Sequence, residues 1–182
     1  MASQKMIVKD VINKSDILLE VIDARFPEET RHSEIERDLK RLKKPFIIVL
    51  NKCDLVSKEK IEKARSRMAK TAPSVFVSSK ERFGTTMLRH KMLEVADIQG
   101  RDITVGCIGY PNTGKSSVIN GVAGKEKHQL HPFPGIPRDC RKSMQDHALF
   151  SWIHPVFSPL MSTMNIFRDS WELRIQHILK TQ

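Results

Sequence analysis

The sequence predicts an α/β fold in which a parallel sheet is flanked by helices on both faces. Three observations predict it. The chain has 182 residues, 40% of them hydrophobic, which is enough for one domain with a sizeable core. Short apolar runs recur at 17–22, 46–50, 74–77 and 103–108, near-continuous in the manner of strands covered on both faces. Segments of helical period separate these runs, the alternation that builds βαβ units.

Taken in order, residues 5–13 read as a short amphipathic helix and 17–22 as the first buried strand. Residues 33–42 read as a helix, with Ser33 as N-cap and Glu36 closing a capping box. Pro45 stops it, and 46–50 is the second strand. Ser57 caps a charged helix running to 70, and 74–77 is the third strand. Residues 85–96 form a helix with Leu88, Met92 and Val95 on one face, 103–108 is the fourth strand, and a further helix covers 116–122. Beyond 124 the pattern weakens. Residues 125–138 are a loop rich in His, Pro and Gly, 148–157 are apolar but interrupted by His154 and Pro155, and 165–179 recover a helical stripe of Phe167, Trp171, Ile175 and Ile178.

Composition narrows the function. Lys and Arg number 31 against 21 Asp and Glu, a formal charge of +10. Such a surface attracts polyanions such as RNA, or is merely well solvated. Aromatic residues are 6%, too few for a base-stacking platform. Cys53, Cys107 and Cys140 are scattered and form no CxxC pair, which argues against a zinc site or a disulfide framework. No apolar leader and no run of about 18 apolar residues is present, so a cytoplasmic protein without membrane contact is expected.

Two motifs carry the chemistry. Gly109-Tyr110-Pro111-Asn112-Thr113-Gly114-Lys115-Ser116 fits the phosphate-binding G-x-x-x-x-G-K-[ST] pattern between a strand and a helix. The backbone N–H groups of Asn112, Thr113, Gly114, Lys115, Ser116 and Ser117 would cradle phosphate oxygens at a helix N-terminus. Lys115 would reach the β- and γ-phosphates, and the Ser116 hydroxyl would ligate Mg²⁺. Asn51-Lys52-Cys53-Asp54 follows the second strand. A carboxylate at Asp54 can accept from both the ring N–H and the exocyclic amine of guanine, a donor pair that adenine lacks. Asn51 can brace the phosphate loop, and the Lys52 stem can lie along the base. Ser78-Ser79-Lys80 follows the third strand and resembles the small polar loop of GTPases whose backbone N–H meets the guanine O6.

The order of these motifs is inverted relative to Ras-like GTPases, with Asn51–Asp54 first, Ser78–Lys80 next and the phosphate loop last. With DILLEVIDARFP at 16–27, GYPNTGKSSVIN at 109–120 and Phe133-Pro134-Gly135-Ile136, the chain resembles the circularly permuted GTPases of ribosome assembly, the YlqF/RbgA-like class, over about residues 5–138. The resemblance implies a P-loop GTPase fold, circularly permuted, with GTP or GDP and Mg²⁺ as ligands and rRNA or a ribosomal particle as partner. A monomer is expected.

The resemblance also has departures. Pro137 stands where the family places its switch threonine, and no Asp-x-Pro-Gly switch follows. The only Asp-x-x-Gly, Asp97 to Gly100, precedes the phosphate-loop strand and reads as a helix-to-strand turn with the glycine at the helix end. The expected organisation is a GTP-binding domain over 1–138. Residues 139–182 are either a truncated or frame-shifted tail, lacking the family's C-terminal helical RNA-binding domain, or an edge strand and closing helix of the same domain. Three functions remain open: a GTPase acting in ribosome assembly, a GDP/GTP-binding module with impaired hydrolysis, and a basic RNA-interaction protein without nucleotide turnover. No catalytic base can be named.

Overall fold

The computed structural model describes residues 4–97, 103–123 and 147–152. Among the described residues five α-helices and five strands alternate: α1 (Gln4–Lys14), β1 (Ile17–Asp23), α2 (Ser33–Arg41), β2 (Phe46–Asn51), α3 (Lys58–Met68), β3 (Ser74–Val77), α4 (Thr85–Ala96), β4 (Ile103–Ile108), α5 (Lys115–Ala123) and β5 (His147–Trp152). The strands form one sheet in the order β3-β2-β1-β4-β5. The first four are parallel, with Asp23 beside Asn51 in the β1–β2 register.

Every residue of β1 and β2 is buried, which is why their sequences are apolar throughout rather than alternating. The period of two survives in which layer each side chain joins. Leu18, Ile22, Ile48 and Leu50 pack with Val11, Leu39, Ile61 and Met68 of α1, α2 and α3. Ile17, Leu19, Val21, Ile47 and Val49 pack on the other side with Leu88, Met92, Val118 and Val122 of α4 and α5. Each such side chain contributes about 1.5–3 kcal/mol by leaving water, so the sheet is the rigid body on which the loops at its carboxyl edge are mounted.

β5 departs from an all-parallel sheet. It pairs antiparallel with β4, from Ile103 opposite Trp152 to Ile108 opposite His147. The apolar run expected at 148–157 thus supplies an edge strand at 147–152. The physical reason is that β4, lying between β1 and the sheet margin, would otherwise leave a row of unpaired backbone groups beside a buried strand. The loop expected at 125–138, its Pro-Gly-Ile-Pro segment, and the helix expected at 165–179 lie outside the described residues.

Two helix ends differ from expectation, the start of α2 and the end of α3. His32, not Ser33, is the N-cap residue of α2, and no side chain caps the helix. Glu36 is buried and receives the Arg31 guanidinium in two bonds of 2.8 and 2.6 Å, so it cannot turn back to close a capping box. Ser57 is the N-cap of α3 without a side-chain bond, and that helix ends at Met68. α4 ends on Asp97, left-handed at φ 48°, and the glycine expected at that end, Gly100, lies outside the described residues.

Candidate nucleotide-binding site

The chain runs outward through β1, β2 and β3, then returns to place β4 on the other side of β1. The sheet order therefore reverses between β1 and β4, and crevices for ligands open at the carboxyl ends of strands at such a point. The phosphate loop after β4, Asn51–Asp54 after β2 and Ser78–Lys80 after β3 lie there.

The phosphate loop leaves β4 at Gly109, whose φ of 149° and close approach to the Val21 carbonyl leave no room for a Cβ. The loop closes on itself through Thr113, whose hydroxyl donates to the Tyr110 carbonyl at 2.9 Å. Lys115 opens α5 and is 4% exposed. Its ammonium donates to the carbonyls of Gly109 and Tyr110 at 2.9 and 2.6 Å, so the charge sits within the curve of the loop. Ser116 and Ser117 are exposed on the first turn.

Asn51, 2% exposed at the end of β2, is the joint of the site. Its Nδ2 donates to the Thr113 carbonyl at 2.8 Å. Its Oδ1 accepts from the Ser79 hydroxyl at 2.9 Å and from the Ser79 N–H at 3.3 Å. One amide thus ties the phosphate loop to the loop after β3. Gly114 lies directly over that amide at φ 92°, and a Cβ there would overlap Asn51 Nδ2. Lys52 turns the chain at φ 62° and donates to the Asn112 carbonyl at 2.6 Å. Asp54 accepts from the Ser78 hydroxyl at 2.6 Å, and that hydroxyl in turn accepts the Glu81 N–H at 3.2 Å. The Lys80 side chain stays in solvent and pairs only loosely with Glu81, at 3.8 Å. Asn51, Lys52, Asp54, Ser78, Ser79 and the loop 109–117 are accordingly brought together, while the Lys80 ammonium is not.

The sequence reading missed two charged groups behind this edge. Asp23 sits among Arg25, Lys52 and the β1 end; only the Asp-Ala-Arg run that it opens pointed to it. Burial alone would raise its pKa, but hydrogen bonds from Arg25 and Lys52 outweigh this and hold it well below the usual carboxylate range. Further back, Glu20 lies inside β1 at 0% exposure and accepts the His32 N–H at 2.7 Å. Burial pushes its carboxyl up to about 7, and neighbouring Glu36 adds to the rise. A proton on Glu20 gives its otherwise unpartnered Oε2 something to donate. The His32 ring stacks on Tyr110 of the phosphate loop, with centroids 4.1 Å apart and planes at 11°. Burial, with the Lys115 charge, lowers the His32 pKa. Cys53 and Cys107 have no such role, since burial pushes both thiols up to about 12 and leaves them unreactive.

Among the described residues no group of three or more His, Cys, Asp or Glu could hold a metal ion. Ser116 offers one hard oxygen, which suits Mg²⁺ held chiefly by phosphate and water rather than by a protein cage.

A phosphate loop at β4, joined by one amide to an Asn-Lys-x-Asp loop that precedes it in sequence, defines a GTPase domain with circularly permuted motif order. Residues 104–150 match the family model described as 50S ribosome-binding GTPase. The chain is 44% identical over 135 residues to an uncharacterized GTP-binding protein of Methanocaldococcus jannaschii, covering 74% of this chain and 36% of the relative. It is 37% identical over 131 residues to nucleolar GTP-binding protein 2 of Saccharomyces cerevisiae, covering 69% and 27%. Among solved structures it is similar to YjeQ from Thermotoga maritima, with a TM-score of 0.46, 23% identity, and coverage of 66% of this chain and 45% of that one. The chain spans about a third or less of the length of the relatives it matches in sequence. Over this span the chain is similar to GTP-binding proteins, and its motifs stand in circularly permuted order. Also among the described residues, no helix is long and apolar enough to cross a membrane.

Proposed function

We propose that the chain is the guanine-nucleotide-binding unit of a ribosome-assembly factor, with the base held by Asp54 and the loop after β3, and the phosphates by Lys115 and the N–H groups from Asn112 to Ser117. Mg²⁺ would be held against the phosphates by Ser116. The observation that carries this reading is the Asn51 amide, which spans from Thr113 to Ser79 and so fixes the base-side and phosphate-side loops relative to each other. The formal charge of +10 and the ribosomal and nucleolar names of the matches support an rRNA or ribosomal-particle partner. The domain acts as a monomer in the compartment where such particles mature, the cytoplasm or, in a nucleated cell, the nucleolus.

A second reading, that of a binding module with impaired hydrolysis, is favoured by Pro137 in the switch position and by the lack of an Asp-x-Pro-Gly in the sequence. Contacts made only to a γ-phosphate would then be missing, and without differential contacts no ligand shifts a conformational equilibrium. One experiment tests both readings: titration with GDP, GTP and ADP, with phosphate release followed in parallel. Guanine nucleotides are expected to bind at least about a hundredfold tighter than ADP, because a mismatched base leaves buried polar groups unpaired. GDP and GTP are expected within about tenfold of each other, since two charge-assisted bonds to the γ-phosphate are absent, and turnover is expected to be slow. Equal affinity for ADP and GDP would sink the first reading. A strong GTP preference with steady turnover would sink the second.

A further inference from the structure

Asp23 occupies the last position of β1, the strand that pairs with both β2 and β4. Its side chain is 7% exposed, yet it collects four donors. Oδ1 accepts the Arg25 N–H and Nε–H, each at 3.0 Å. Oδ2 accepts Arg25 Nη2 at 2.8 Å and Lys52 Nζ at 2.9 Å. The Lys52 ammonium is the informative partner, because it also donates to the Asn112 carbonyl of the phosphate loop at 2.6 Å. Residues 23, 52 and 112 thus form a chain of contacts from the end of β1 through the loop after β2 to the phosphate loop. A second tie runs alongside it, the Ala24 N–H donating to the Asn51 carbonyl at 2.8 Å.

A buried ion pair adds little net stability over well-packed apolar residues, so stability alone is a weak reason for this one. Its position is more telling. Lys52 is held in the left-handed region, at φ 62° and ψ 34°, where a residue with a long side chain is uncommon. A lysine has three donors and a flexible stem, and two of its bonds here fix its head between a carboxylate and a loop carbonyl.

We propose that Asp23 is a positioning residue for nucleotide binding, acting through Lys52: its carboxylate holds the lysine against the Asn112 carbonyl and so sets the distance between the loop carrying Asp54 and the loop carrying Lys115. This rests on the nucleotide site proposed above. Arg25 has a different part. It keeps Asp23 ionised and oriented, while its own guanidinium lies over the Phe26 ring at 5.6 Å and remains 42% exposed.

The test is a double-mutant cycle on GDP binding, read by titration of a fluorescent GDP analogue and by competition with unlabelled GDP. Asp23→Asn and Lys52→Met are each expected to weaken binding tenfold or more. In the Lys52→Met background, Asp23→Asn is expected to cost less than about threefold more, because the residue it acts through is already gone. Arg25→Ala, which leaves Lys52 on the Asp23 carboxylate, is expected to weaken binding less than Asp23→Asn does. Thermal melts of each variant without nucleotide separate loss of fold from loss of positioning. Should Asp23→Asn not fold, Asp23→Glu, which keeps the charge but moves the carboxylate, goes through the same cycle with the same expectation. Additive losses in the cycle, or an Asp23 variant that folds and binds GDP like wild type, overturn the proposal while leaving the nucleotide site standing. A wild-type protein that binds no GDP overturns the site and this proposal together.

Discussion

Replacing Asn51 by alanine tests the architecture of the site most directly. The substitution removes the amide that joins the phosphate loop to the loop after β3, and with it three hydrogen bonds of 2.8, 2.9 and 3.3 Å. The Thr113 carbonyl and the Ser79 N–H are then left short of a partner in a region that is 2% exposed at Asn51 and Thr113. A buried polar group stripped of its partner costs about 1–3 kcal/mol, so two such groups make an expected loss of about 2–6 kcal/mol, a large part of a domain's total stability of about 5–15 kcal/mol. Urea unfolding followed by far-UV circular dichroism, without nucleotide and with saturating GDP, measures it. A fall in midpoint of about 1–3 M is expected at a urea slope of about 2 kcal/mol/M, with a larger gap when GDP is present because binding is lost as well. Asn51→Asp refines the test. It keeps the acceptor for Ser79 but turns a carboxylate oxygen towards the Thr113 carbonyl, so protonation favours the folded state. The folded-state pKa of that new group is raised, so its contribution is fully present below about pH 4 and lost as pH rises through the folded value. Asn51→Ala within about 0.5 kcal/mol of wild type, with GDP affinity intact, would refute the reasoning.

Two further outcomes are expected. Gly114→Ala combines a left-handed φ of 92° with a Cβ driven onto the Asn51 amide, and a GDP titration should show at least about a tenfold loss; Gly121→Ala, where the nearest atom is the movable Thr85 Cγ2 at 2.9 Å, is the control and should bind GDP normally. Glu20, raised to about 7 by burial, favours the folded protein when protonated, so its own contribution to stability should be full below about pH 4.5 and fall by up to about 3 kcal/mol as pH rises to about 7. Glu20→Gln should flatten that slope in urea melts taken across the range, and an unchanged slope would assign it to other groups.

Strands 74–77 and 103–108 and the helix 85–96 stand in the structure with the limits read from the sequence, because apolar runs and their punctuation are local signals. The same holds for the phosphate loop and Asn51–Asp54, whose chemistry is written in consecutive residues. What the sequence hid is what depends on distant partners. Glu36 reads as half of a capping box until Arg31 takes its carboxylate. Glu20 is one acid in an apolar strand, and only the fold brings His32 and Glu36 to it. The Asp23–Lys52 contact spans 29 residues. The pairing of residues 147–152 depends on an open edge of β4 that no local pattern displays.

The inverted motif order bears on how the domain is made. A ribosome synthesising this chain releases α1 through α4, with the complete base-side motif, before any of β4. In that interval β1 is a central strand with one finished neighbour, β2, and one bare edge. The strand that covers this edge is the one carrying the phosphate loop, and Leu18 must wait for Gly106, 88 residues later, to find its place in the register. Contacts of such sequence separation form late and slowly, and an apolar edge left open meanwhile invites wrong pairing. The two proposed halves of the nucleotide site therefore meet only once β4 has docked on β1, with β5 still to be added at the sheet's edge.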